Sequence, residues 1–130
     1  MGLSSHPANG YDKRTQAADI AGVLDTLGVD RAAMVAHDIG NMVAFAFAAR
    51  YPERLTKLVL MDAPVPGIAN WDELSHVPQT WHFYFYGPLM ATIARAAFTT
   101  VSEGVIANAG HWLMEEQPDA VVAGVRPFLT

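Results

Sequence analysis

Apolar and polar positions alternate in blocks that lay out helix, strand, helix and strand over the first half of the chain. Ala17, Ile20, Ala21, Leu24 and Leu27 recur at helical spacing and predict a helix from about Arg14 to Leu27 with one apolar face. Gly28 follows as a natural stop, since glycine enters the left-handed conformation of a helix end without steric cost. Ala32 to Ala36 is unbroken in its apolar character and reads as a strand buried on both faces, as in a parallel sheet covered by helices. From Gly40 to Arg50 the chain is apolar nearly all round (Met42, Val43, Phe45, Phe47), which predicts a central, buried helix. Pro52 ends it. Leu55 to Met61, with the run Leu58-Val59-Leu60-Met61, is the second strand. A strand–helix–strand order makes a parallel crossover unit, with ligand chemistry expected at the carboxyl ends of its strands.

The pattern weakens further on. Residues 1–13 carry turn chemistry in Ser4-Ser5-His6-Pro7 and Asn9-Gly10. Pro64, Pro66 and Gly67 mark a loop after the second strand. Trp81-His82-Phe83-Tyr84-Phe85-Tyr86 is densely aromatic, and Leu89 to Phe98 has helical character. Glu103 to Ala107 offers a short third strand, and Asn108-Ala109-Gly110 a turn leading into His111-Trp112. A last helix begins near Pro118, with Val121, Val125 and Phe128 towards the core, weakened later by Gly124 and Pro127.

Composition narrows the functional classes. The chain has 130 residues, suited to one domain, and 52% of them are hydrophobic. A net charge of −5 gives no reason to expect nucleic acid or an anionic membrane as partner. The absence of cysteine excludes disulfides, thiolate metal sites and cysteine nucleophiles. His6, His76 and His82 lack metal-ligand spacing and no His-Glu-x-x-His occurs, so neither zinc nor another cofactor is expected. The longest apolar run, Met42 to Ala49, is too short for a bilayer span, and residues 1–7 lack the features of a secretion signal, which makes a cytoplasmic protein the expectation.

The chemistry concentrates in Ala33-Met34-Val35-Ala36-His37-Asp38-Ile39-Gly40-Asn41, where the first strand turns directly into the second helix. Ala36 and Gly40 flank Asp38 two places before and two after. That spacing of small residues about a central nucleophile is what a tight strand-to-helix elbow requires. A carboxylate presented there attacks an alkyl carbon and leaves a covalent ester. The competing reading is an Asp38 that only caps the helix. Asp62 stands at the carboxyl end of the second strand, the edge where Asp38 also lies, and is open to the same alternative of a local cap. His111 is otherwise a surface histidine in a turn, and His37 a packing residue beside Asp38.

These motifs together resemble the α/β-hydrolase superfamily, and within it the epoxide hydrolase and haloacetate dehalogenase branch. The carriers are His37-Asp38-x-Gly40 at the elbow, Tyr51-Pro52-Glu53-Arg54-Leu55 after the helix, and Gly110-His111 near the C-terminus, with Leu3-Ser4-Ser5-His6-Pro7 similar to a loop of the same fold. The resemblance covers about residues 1–87 and 103–130. It implies a partial α/β-hydrolase fold: three layers, with a short parallel sheet flanked by helices. It implies Asp38 as nucleophile, His111 as the base that activates water, Asp62 as the acid that orients His111, and the Ile39 N–H as an oxyanion donor. Around them, His37, Trp81, His82, Tyr84, Tyr86 and Trp112 would line a pocket for a small uncharged organic substrate. Tyr84 or Tyr86 would be the proton donor to a leaving oxygen; core or cap packing is the other reading of this aromatic run. His82 matches a halide-pocket histidine of haloacetate dehalogenases, although Phe83 replaces the tryptophan that follows it there. The two arginines that hold a haloacetate carboxylate in those enzymes correspond to Ile39 and Met42, which points to epoxides instead.

Against that family the chain reads as a single truncated domain over 1–130, with 71–98 as a remnant of the cap. The loop giving a second oxyanion donor and the strand preceding that of the histidine are not found. Closing the sheet with a strand missing would shift His111 by about one strand spacing, ~4.8 Å, more than a catalytic hydrogen bond tolerates. The expectation is therefore an epoxide hydrolase-type enzyme, possible as a homo-oligomer through exposed sheet edges. The alternative is a catalytically inactive fragment that at most self-associates or binds a partner.

Overall fold

The computed structural model describes residues 2–63, 102 and 104–130. Helix α1 spans Lys13–Thr26, strand β1 Ala32–His37, helix α2 Ile39–Arg50 and strand β2 Leu55–Met61, with a short 3₁₀ turn at Pro52–Arg54. Near the C-terminus a one-turn helix, α3 (Leu113–Glu116), leads into α4 (Pro118–Leu129). Asp12 starts α1 by accepting hydrogen bonds from the Thr15 amide at 3.0 Å and the Thr15 hydroxyl at 2.7 Å. Gly28 ends that helix region at φ +66°, a conformation that side chains disfavour. Pro118 opens α4, where a missing N–H is harmless.

Strands β1 and β2 pair in parallel, from Ala32 beside Leu55 to His37 beside Met61, with one irregularity between Ala32 and Ala33. Helix α2 connects them. Ala17 and Ala21 of α1 pack on Phe47 of α2, and Leu24, Met34, Ala46, Tyr51 and Leu55 close around this cluster. Small alanines at the crossing let the two helices approach closely, so the buried stripe of α1 is narrower than its periodicity implies. Ile20 remains 37% exposed and Leu27 68%. Arg54 ties the start of β2 to the α1–β1 connection: its guanidinium donates to the Asp30 and Val29 carbonyls at 2.6 and 3.1 Å and meets Asp25 at 2.8 Å. This gives the Tyr-Pro-Glu-Arg-Leu segment a physical role as a buckle between two connections.

The opposite face of the sheet differs from expectation. Lys57 is registered with Ala33, so both share the face that points away from α1 and α2. Phe128 of α4 lies there, with the Lys57 ammonium 5.8 Å from its ring centre. Helices thus flank the sheet on both sides, but Val35 on that face is 47% exposed, so β1 is not buried on both faces. Val121 is the buried anchor of α4, whereas Phe128 stays 37% exposed. The short third strand is also corrected. Gly104 to Ile106 are irregular and Ala107 lies in a turn. Val105, 93% exposed, gains no burial that would favour pairing. Residue 103, the helical pattern over 89–98 and the cap segment 71–98 lie outside the described residues. No helix among the described residues is long and apolar enough to cross a membrane.

Candidate active site

Register places the site. His37 is the last residue of β1 and is paired with Met61, the last of β2, so Asp38 and Asp62 leave the sheet side by side. Both turn immediately: Asp38 has φ +49° and ψ −121°, and Asp62 has φ +48°. Positive φ in a residue with a side chain costs about 1–3 kcal/mol and persists only where the surroundings impose it. At Asp38 the surroundings are identifiable. Its amide donates to the Met61 carbonyl at 3.2 Å, and its own carbonyl accepts from the Asn41 amide at 2.9 Å. Asn41, buried at 4% exposure, also donates its side-chain amide to the Met61 carbonyl at 3.0 Å. A Cβ added at Gly40 would stand 3.9 Å from the Cβ of Ala36, in ordinary contact, so the two small residues face one another across the turn.

Although Asp38 occupies the N-cap position of α2, its side chain makes no capping hydrogen bond. The capping reading is therefore set aside; the carboxylate is left half-exposed beside the histidine. His111 comes between the two acids. Its Nδ1 is hydrogen-bonded to Asp62 Oδ2, and its Nε2 lies 3.6 Å from Asp38 Oδ2. The expected displacement by one strand spacing does not occur. Since Asp62 accepts, neutral His111 carries its proton on Nδ1 and turns the Nε2 lone pair towards Asp38. A separation of 3.6 Å exceeds a hydrogen bond, so Asp38 and Nε2 are neighbours without engaging one another.

His37 and Trp112 complete the described surroundings. The His37 Nε2–H donates to the His111 carbonyl at 2.7 Å. The ring centres of His37 and His111 are 4.7 Å apart, and that of Trp112 is 5.5 Å from His37 and 5.1 Å from His111. Trp112, Ile39 and Met42 are exposed apolar side chains on this end of the fold. Ile39 is the first residue of α2, where an N–H has no acceptor within the helix. Trp81, His82, Tyr84 and Tyr86 lie outside the described residues. Candidate ligand atoms of His37, Asp62 and His111 all fall within 4.8 Å of one another. A divalent ion there would have to displace the His111–Asp62 hydrogen bond, because those two groups are already engaged with each other.

Asn41 was not legible as a site residue from its type alone. The available signal was its place: a lone polar residue among Met42, Val43, Ala44 and Phe45 in an otherwise apolar helix. Such a residue, once buried, must find a partner, and the carbonyl at the end of β2 is the one it finds.

The α/β hydrolase fold family matches residues 1–103, most of the chain. The chain belongs to this family. Among curated relatives it is 36% identical over 89 residues to epoxide hydrolase 1 of Caenorhabditis elegans, covering 65% of this chain and 22% of that protein. It is 32% identical over 90 residues to the soluble epoxide hydrolase of Corynebacterium sp. (strain C12), covering 67% of this chain and 31% of the relative. Over a shorter stretch of 48 residues it is 54% identical to a 2-hydroxy-6-oxononadienedioate/2-hydroxy-6-oxononatrienedioate hydrolase of Burkholderia vietnamiensis, covering 37% of this chain and 17% of that enzyme. The chain thus spans between about a fifth and a third of the epoxide hydrolases it matches. The crystal structure of Cfl2 from Burkholderia cenocepacia superposes with a TM-score of 0.66 at 24% identity, over 100% of this chain and 76% of the other. The fold is shared with that protein.

Proposed function

We propose that this chain carries the machinery of an epoxide hydrolase that works through an ester on Asp38. The observation that supports this most is His111 set between two carboxylates, bonded to Asp62 through Nδ1 and open towards Asp38 through Nε2. An Asp38 oxygen attacks one epoxide carbon, the C–O bond to the ring oxygen breaks, and that oxygen leaves as an alkoxide that takes up a proton. The product of this half-reaction is a hydroxyalkyl ester. Water then attacks the ester carbonyl carbon as His111 Nε2 removes its proton. The Ile39 N–H stabilises the oxyanion, and Asp62 stabilises the imidazolium. Collapse releases the diol, and the proton on His111 returns to solvent.

Two further features support the substrate class. Three curated relatives named epoxide hydrolase align across about two thirds of this chain. Ile39 and Met42 present apolar side chains beside Asp38, and neither can pair with a substrate carboxylate. Purified protein should hydrolyse a chromogenic uncharged epoxide to its diol, Asp38→Asn should not, and neither should release halide from a haloacetate. Haloacetate turnover above the Asp38→Asn level would overturn the substrate assignment. No epoxide turnover at all would favour the inactive, binding-only alternative.

A further inference from the structure

We propose that Glu116, assisted by His37, is a positioning residue that holds the His111 loop in place, and that it serves only the half-reaction in which His111 acts. This rests on the reading of His111 as the base. Residues 104–112 form no strand or helix among themselves, so no ladder fixes the backbone around His111. Asn108 and Gly110 are exposed and Ala109 half-buried, and an exposed turn is held less by packing than a core element is.

The restraint comes from side chains. Glu116 closes α3 and turns its carboxylate back on the loop. Oε2 accepts from the Gly110 amide at 2.7 Å and Oε1 from the Trp112 amide at 3.2 Å. The amides on either side of His111 are therefore gripped by one carboxylate. The carbonyl of His111 itself is held by the His37 Nε2–H at 2.7 Å. His37 immediately precedes Asp38, so this bond ties the loop to the strand end that carries the proposed nucleophile. Gln117 adds a fourth tie, donating to the Asn108 carbonyl at 3.2 Å.

Charge and shape both require a carboxylate at position 116. A carboxylate offers an acceptor to each amide, whereas a carboxamide offers one acceptor and points an N–H at the other amide. The glycine before His111 lies against the same carboxylate. A Cβ at Gly110 would lie 3.1 Å from Glu116 Oε1 and 3.4 Å from Oε2. Gly110 is not among the positive-φ glycines, which are Gly2, Gly10 and Gly28, so its backbone conformation does not call for glycine, and a side chain there would press on the carboxylate and shift it by a few tenths of an ångström.

The test has two arms, on wild-type protein, Glu116→Ala and Glu116→Gln, each first shown to be folded by circular dichroism. In the first, amide hydrogen exchange at Gly110 and Trp112 is followed by NMR; both amides should be protected in wild-type protein, freed in Glu116→Ala, and partly restored in Glu116→Gln. In the second, ester formation and ester hydrolysis are timed separately by rapid quench and mass analysis with an epoxide. Formation should be unchanged in Glu116→Ala, and hydrolysis should slow by about tenfold to a hundredfold, the usual loss when a reacting group is misplaced. Unchanged exchange at both amides, or an equal slowing of the two half-reactions, would overturn the proposal. If wild-type protein forms no ester, the covalent reading fails, and the exchange arm alone decides whether Glu116 holds the loop.

Discussion

A carboxylate that is to attack carbon must be held firmly and yet not be engaged by its neighbours. Asp38 meets both conditions: its backbone is fixed by Met61 and Asn41, while its side chain leaves the helix terminus uncapped. Asp62 is the opposite case, with its carboxylate committed to His111. Two acids of one type, adjacent at the sheet edge, thereby have different surroundings, and the proposed mechanism gives them different work. In Asp62→Asn the amide cannot serve as a charged acceptor for Nδ1–H, and imidazolium formation loses its partner. Ester hydrolysis should fall by about 10²–10⁴, approaching the loss seen when a triad acid is neutralised, while ester formation is nearly unaffected. Single-turnover quench experiments read the two rates separately, and equal losses in both would contradict the role assigned to Asp62.

Among the elements, α1 was legible from its helical repeat, β1, α2 and β2 from nearly unbroken apolar blocks, and α4 from Pro118 and the apolar positions after it. Their ends were legible where Gly28, Pro52 and Pro118 stop or start a helix. What periodicity could not convey was which partner would cover each face. Ala33 and Val35 look like a core strand, but α4 reaches that face at Lys57 and leaves Val35 half-open. The site followed the same rule. Asp38 was marked by the spacing of small residues about it and Asp62 and His111 by the family resemblance, whereas Asn41 and Glu116 act through backbone groups whose positions only the folded chain defines. The Asp12 cap gives a pH test at this scale. The Thr15 hydroxyl and amide hold the Asp12 carboxyl below its ordinary value. A group depressed on folding contributes stability above its unfolded pKa and loses that contribution as pH falls through its folded one. Thermal melts should therefore show Asp12→Ala less stable than wild type at neutral pH, with the gap closing in strong acid. A gap that is constant across pH would contradict a cap acting as a carboxylate.

At the scale of the whole molecule, the core centred on Ala17, Ala21 and Phe47 sits between the helices and one sheet face, and the catalytic candidates stand at the carboxyl edge above it. Apolar side chains remain exposed elsewhere, among them Val35 on the outer sheet face and Trp112, Ile39 and Met42 near Asp38. Exposure of this kind at a site edge suits an apolar substrate, and on a sheet face it favours association. In solution the chain should therefore sediment as dimers or larger species. A single sharp boundary at the 14.1 kDa of one chain would contradict that expectation.

The central claim is that Asp38 carries the ester and His111 removes it. Intact and peptide mass spectrometry of His111→Gln after mixing with an epoxide tests this most directly. Without the base, water remains a poor nucleophile and the second half-reaction stalls. The account predicts an adduct equal to one substrate mass, confined to the peptide containing Asp38 and absent from Asp38→Asn. Turnover of the epoxide by Asp38→Asn at the wild-type rate, with no adduct in His111→Gln and no deamidation at position 38, would contradict it.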